Sequence, residues 1–336
     1  MKQILTIIIL TAINLASCTN SNKTDELQKS RPTIGSVEIL DPMGNTLIDS
    51  NAVVEILGEG YTWSEGPLWL EKQQMLLFSD VPHNIVYQWT EKEGVTPYLE
   101  PSGYTKAEER GGEMGSNGLL LSKDGKLILC QHGDHAIAAM NADITQPQPD
   151  YITLTNSYNN KRLNSPNDIA QDQMGNYYFT DPGYGLAKKE DQELPFSGVY
   201  KIDNAQKTSL LIDSISHPNG IALSPDGKTL YISNSGTSTL YAYNLDEEKN
   251  IQSGGVFFDF RNLKDKGSGG TDGLKVDSEG YIFTTGPGGV WILSKEGKPL
   301  AKINTEITTS NCSLSKDGKT LYMTSTDKVL RINMRK

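Results

Sequence analysis

Six polar side chains return along this chain at nearly regular intervals, and each ends in an oxygen donor. Glu65 in "SEGPLW", Asn117 in "GSNG", Asn167 in "SPND", Asn219 in "HPNG", Asp272 in "GTDG" and Asn311 in "TSNCSLS" are separated by 52, 50, 52, 53 and 39 residues. Carboxylate and amide oxygens, with no thiolate or imidazole at the equivalent positions, suit calcium, magnesium or manganese and disfavour zinc or copper. Calcium accepts both donor types, at about 2.3–2.6 Å. A single Asn of this kind reads as an Asx turn leading into a strand. Two acids and four amides at matching places in a repeat point instead to one shared cation site.

Such a site requires elements that bring distant positions together. A Gly follows eight positions after each of the middle four (Gly125, Gly175, Gly227, Gly280) and seven after Asn311 (Gly318). These glycines sit in "SKDGK", "DQMGN", "SPDGK", "DSEGY" and "SKDGK", and Asp-Gly between alternating apolar runs is a strong hairpin signal. The runs that follow, "KLILC", "YYFT", "TLYIS", "YIFTT" and "TLYMT", have the β-branched and aromatic content of strands. From Asn219 a complete unit can be read: "IALS", the turn "PDGK", then "TLYIS", "TLYAYNL" and "GGVFFDF". Four antiparallel strands in about fifty residues, six times over, predict an all-β, six-bladed β-propeller. No segment sustains the i, i+3, i+4 stripe of a helix, and a two-sheet sandwich does not need so long a fixed period. The strands "SVEILD" and "AVVEILGEG" precede the first unit, so one or both are expected to complete the last blade and remove an open sheet edge.

In a propeller the first strand of each blade lines the central channel, so the six polar residues are expected to meet at one end of it. The second strands return to that end. His132, Asp181, Tyr184, Asn234 and the "TGPGG" of 285–289 then lie beside the cation, with Arg162 just upstream of Asn167. Asn117, Arg162, His132, Asp181 and Tyr184 are the candidate substrate-binding residues. His132 reads equally as an ordinary loop residue, and Arg162 equally as a solvated charge.

A formal net charge of −10 over 336 residues argues against nucleic acid or an anionic membrane surface as partner. A composition 36% hydrophobic and 21% charged is that of a globular chain. "MKQILTIIILTAINLASC" has a Lys near its start and an apolar stretch too short to span a bilayer. Residues 1–17 read as a signal peptide of lipoprotein type, with Cys18 as the lipidated residue. Residues 18–34 read as a polar tether, and 35–336 as a single propeller domain. An exported lipoprotein of the cell envelope follows, in the periplasm or anchored to the outer membrane and touching membrane only through its lipid. Cys130 and Cys312 belong to no CxxC pattern and sit in or beside apolar strands, so buried, unpaired thiols are expected.

The stretches "SEGPLW", "RLNSPNDIAQDQMGNYYFTDPGYG", "HPNGIALSPDGKTLYIS" and "TDGLKVDSEG" resemble the gluconolactonase / senescence marker protein / luciferin-regenerating enzyme family, from about Gly58 to the end of the chain. The likeness is greatest to the longer bacterial branch, where "NSPND" and "DPPYG" occur. The resemblance implies a six-bladed propeller with a divalent cation that hydrolyses sugar lactones. It places metal ligands at Glu65, Asn167, Asn219 and Asp272, with Asp272 also the acid/base. The implied cofactor is Ca2+, with Mg2+, Mn2+ or Zn2+ as alternatives. The implied partner is a small sugar lactone bound by a monomer. Three departures concern the pocket: Ser165 stands where animal members have an Arg, "PGYG" replaces a sugar-binding Glu, and "MTSTDK" lacks the His of related organophosphate-cleaving propellers. Beside a lactonase, the sequence leaves open a non-catalytic calcium-dependent carbohydrate-binding propeller and a related esterase or phosphotriesterase.

Overall fold

The structure is a computed structural model that describes residues 31–108, 110–263 and 267–335. The expected signal peptide and Cys18 lie outside the described residues. The unit that begins at Asn219 shows how sequence becomes blade. Its strands are Pro218–Leu223, Thr229–Asn234, Thr239–Leu245 and Ile251–Asp259, paired antiparallel in that order. The hairpin between the first two turns on Gly227 at φ +65°, a left-handed conformation that glycine adopts without strain. Alternate side chains of Thr229–Asn234 leave opposite faces of the sheet. Leu230 and Ile232 pack toward the preceding blade, and Tyr231 toward the next.

Blades 1, 2 and 3 begin with Ser64–Leu70, Ser116–Leu121 and Ile169–Gln171; blades 5 and 6 begin with Leu274–Val276 and Asn311–Leu314. Each inner strand touches the next around the full circle, the sixth returning to the first. The hydrophobic core is divided in the same way, into six clusters that each fill one interface between blades. The sixth joins Leu57, Tyr322 and Val329 of blade 6 to Leu76, Phe78 and Trp89 of blade 1, with Trp69 stacked on Tyr322 at 4.7 Å across the seam.

Val54–Glu59 pairs with Lys328–Asn333 and supplies the fourth strand of blade 6, Leu330 lying opposite Ile56. The ring is thereby closed by an N-terminal strand. Thr33–Ile34 adds outside it. Ser36–Ile39 instead covers the outer edge of blade 5, against Pro299–Asn304. Of the two N-terminal strands read from sequence, one completes the last blade and the other guards its neighbour. Cys130 and Cys312 are buried and unpaired among the described residues.

Candidate functional site

The polar residues stand where the inner strands start. Glu65, Asn117, Asn167, Asn219 and Asn311 are each 5% exposed or less. The ladder is irregular just after three of them, between Glu65 and Leu68, Ser116 and Leu119, and Pro218 and Ile221. Bulges of this kind redirect side chains at strand ends. Backbone contacts between blades hold the ring: Gly118 N–H donates to Asn167 O at 2.8 Å and Gly220 N–H to Asp272 O at 3.1 Å. The hydroxyls of Ser79 and Thr180 donate to Asn117 O and Asn219 O, at 3.0 and 2.6 Å. These contacts explain the "NG" pairs. A Cβ on Gly118 would lie 2.7 Å from Asn167 O, and one on Gly220 2.4 Å from Asp272 O. These glycines serve close blade-to-blade approach.

Glu65, Asn219 and Asp272 come together, and their electrostatics reflect it. Burial pushes the Glu65 carboxyl up to about 8; its own Gly66 N–H opposes the shift, Asp168 adds to it, the Asn311 amide opposes it and Glu113 adds to it. Asp272 is raised well above the usual carboxylate range, first by burial, then by Glu65, Asp168 and Glu113, against a hydrogen bond from Asn219. Asp272 Oδ1 and Asn117 Oδ1 are buried without a hydrogen-bond partner among the described residues. Buried polar oxygens rarely go unpartnered. Two neighbouring buried acids, with one unpartnered oxygen on Asp272 and another on Asn117, suit a hard dication, which would supply the missing partner and reverse both shifts. Among the described residues no group of three or more His, Cys, Asp or Glu side chains is set to hold a metal; the donors here mix carboxylates with amides. Asn167, the remaining expected ligand, is buried at the head of blade 3.

Below this cluster the channel holds residues that the sequence reading missed. Lys275 Nζ lies 3.3 Å from Asp168 Oδ2 and 3.4 Å from Asn311 Oδ1. Asn311 Nδ2 reaches both Asp168 Oδ2 and Glu65 Oε2, at 3.4 and 3.3 Å. Asp168 was visible in "SPND" as a turn residue only, and Lys275 as one charge in an otherwise apolar strand.

The other candidates occupy distinct places. Tyr184 is partly exposed at the rim, its hydroxyl bonded to Ser235 Oγ and its ring 6.0 Å from His217. Burial raises its pKa, the Ser235 hydrogen bond lowers it, nearby Asp272 raises it and an Asn219 hydrogen bond lowers it. Asp181 is fully buried and accepts from the N–H groups of Asn164 and Ser165 at 2.9 and 2.8 Å, clamping the loop that delivers Asn167. Asp80 does the same in blade 1 for Thr62 and Trp63. Asn234 Oδ1 accepts from Gly236 N–H at 3.2 Å, and Thr285 Oγ1 accepts from Asp272 N–H at 2.6 Å. Arg162 lies on an outer hairpin, donating to Asp191 O at 2.7 Å with Glu193 alongside. His132 is fully buried, and neither ring nitrogen has a hydrogen-bond partner among the described residues.

Residues 63–327 match the model of the SMP-30/Gluconolactonase/LRE-like region. The chain belongs to this family. It is 34% identical over 328 residues to a gluconolactonase from Zymomonas mobilis, covering 94% of this chain and 91% of the relative. The solved gluconolactonase of Xanthomonas campestris is 27% identical, with a TM-score of 0.77 over 92% of this chain and 99% of that one. A calcium-binding regucalcin from Agrobacterium tumefaciens shares the fold at 18% identity, with a TM-score of 0.66 over 83% and 94% of the two chains. The family first read from "SEGPLW" and "NSPND" is thus the one to which the chain belongs.

Proposed function

We propose that this member of the family hydrolyses a sugar lactone to the aldonic acid, using a hard dication held by Glu65, Asn167, Asn219 and Asp272. It is a lactonase. The observation that carries the metal-dependent reading is the pair of buried acids Glu65 and Asp272 at one channel mouth, beside unpartnered oxygens of Asp272 and Asn117. When bound, the dication polarises the lactone carbonyl and offsets the charge that builds on its oxygen. The protein's own groups do the rest. Asn117 and Tyr184 present polar atoms at the mouth to orient the sugar hydroxyls. The sequence resemblance gives Asp272 a second duty as acid/base, which a bound cation would weaken by lowering the carboxylate's pKa.

The deciding experiment is acid release from a panel of aldonolactones, with chelator and with Ca2+, Mg2+, Mn2+ or Zn2+ added back. Turnover that a chelator abolishes and Ca2+ restores is expected. Saturable sugar binding without turnover on any lactone would make the protein a binding propeller instead. We further place the protein at the cell envelope through lipid on Cys18, which a Cys18→Ala variant labelled with an alkyne fatty acid would test by losing the label.

A further inference from the structure

Residues 100–108 and 110–115 lie between the outer strand of blade 1, Gly94–Leu99, and the inner strand of blade 2. Both ends of the segment are anchored. Asn84 Oδ1 accepts the N–H groups of Ser102, Gly103 and Tyr104, and Gly115 N–H donates to Val81 O at 2.8 Å. Farther along, Arg110 donates to Gly185 O and to Glu113 O. Glu113 is therefore held by its own loop and by the "DPGYG" turn. Its side chain is 34% exposed, with Oε2 3.5 Å from Nδ1 of His132. Through Arg110 its loop is tied to Gly185, next to the rim residue Tyr184, and its charge raises the pKa of Glu65, Asp272 and Tyr184, so Glu113 stands near the candidate ligands without being one of them.

His132 explains why Glu113 is there. An imidazole that is fully buried with neither nitrogen hydrogen-bonded among the described residues calls for a reason. Its backbone N–H is fixed to Gly115 O at 3.1 Å. Gly185 packs so closely that a Cβ there would stand 2.5 Å from both Cβ and Cγ of His132. The ring is thus fixed, with Nδ1 3.5 Å from Glu113 Oε2, a long contact of the kind that tightens when substrate binds.

We propose that Glu113 is the general base of the lactonase reaction and His132 the positioning residue that orients it; the assignment rests on the lactone-hydrolase reading above. Glu113 is free to do what Asp272, sharing its charge with a cation, does poorly. In the reaction, the water oxygen forms a bond to the lactone carbonyl carbon as the carbonyl π pair moves to oxygen, and the water proton passes to the Glu113 carboxylate. Collapse of the tetrahedral adduct breaks the bond between that carbon and the ring oxygen. Glu113 returns the proton to that oxygen, which leaves as a hydroxyl. One lactone and one water give one hydroxy acid, and Glu113 ends as it began.

The test compares wild type, Glu113→Gln, Glu113→Ala and His132→Ala, following glucono-1,5-lactone opening and Ca2+ binding by calorimetry. Glu113→Gln is expected to lower kcat by about 10²–10⁴-fold with Ca2+ affinity unchanged. Glu113→Ala is expected to recover part of its rate in added formate. His132→Ala should lower kcat with little change in KM. If that buried substitution unfolds the protein, the half-exposed Glu113 variants still decide. An active wild type with an equally active Glu113→Gln overturns the assignment and leaves the lactonase standing. So does a parallel loss of rate and Ca2+ affinity, or a Glu113→Ala defect that formate does not touch. A wild type inert on every lactone overturns both.

Discussion

The ion pair beneath the site allows a quantitative test of how the channel is held together. Lys275→Met removes the ammonium 3.3 Å from Asp168 Oδ2 and keeps most of the side-chain volume. Two unit charges at that separation attract by about 5 kcal/mol at an effective dielectric of about 20. The Asp168 side chain is 2% exposed and that of Lys275 28%, so partial screening reduces the expected cost to about 3 kcal/mol, at the lower end for breaking a buried pair. Most of that cost is the uncompensated carboxylate left beside Glu65 and Asp272. Removing both charges should therefore rescue the protein. In Asp168→Asn/Lys275→Met the amide oxygen can still accept the Ile169 N–H that Asp168 Oδ1 takes at 2.9 Å, and stability should return to near wild type. Urea unfolding at pH 7 in the presence of chelator measures all four corners of the cycle without a dication masking the charge. A Lys275→Met variant as stable as wild type, or a double variant as unstable as Lys275→Met, would refute the view that an internal ion pair balances these acids.

Three further outcomes are expected. Asp272→Asn should keep the far-UV circular dichroism of the wild type and lose nearly all lactone turnover together with Ca2+ affinity, since the ring backbone is held by Asp272 N–H and O; retained turnover would remove Asp272 from the chemistry. Burial raises Asp181 from 3.8 to about 7 against the two N–H bonds it accepts, so the folded state holds a proton that the unfolded chain releases. Its contribution to stability is then full below about pH 4 and falls by up to about 4 kcal/mol as pH rises through 7, a slope that urea titrations at pH 4.5 and 8 should find in wild type and not in Asp181→Asn. Gly185→Ala should cost about 1–3 kcal/mol through overpacking against His132 and depress kcat, read by thermal unfolding and initial rates; a variant with wild-type values would mean that the turn yields freely.

Much of this molecule is legible in one dimension because its repeat is local. Each unit's alternation and Asp-Gly turn act within about fifty residues, so Asn117, Asn167, Asn219, Asp272 and their hairpins can be located without knowing the fold, and the convergence of the site follows from the circle. The metal-ligand candidates belong to this class, since they recur at one phase of the repeat. Glu113, Lys275 and the use of Asp168 do not. Glu113 lies in a loop between blades that has no counterpart in the period, and its meaning comes from His132, whose burial only packing against Gly185 reveals. Lys275 looks like a surface charge until blades 3, 5 and 6 meet at the axis. The destination of Ser36–Ile39 was likewise open, because a short alternating strand fits either of two bare sheet edges. Periodicity determines which residues line the channel; only the closed ring determines which charges face one another across it, because those neighbours are separated by up to hundreds of residues and share no local pattern.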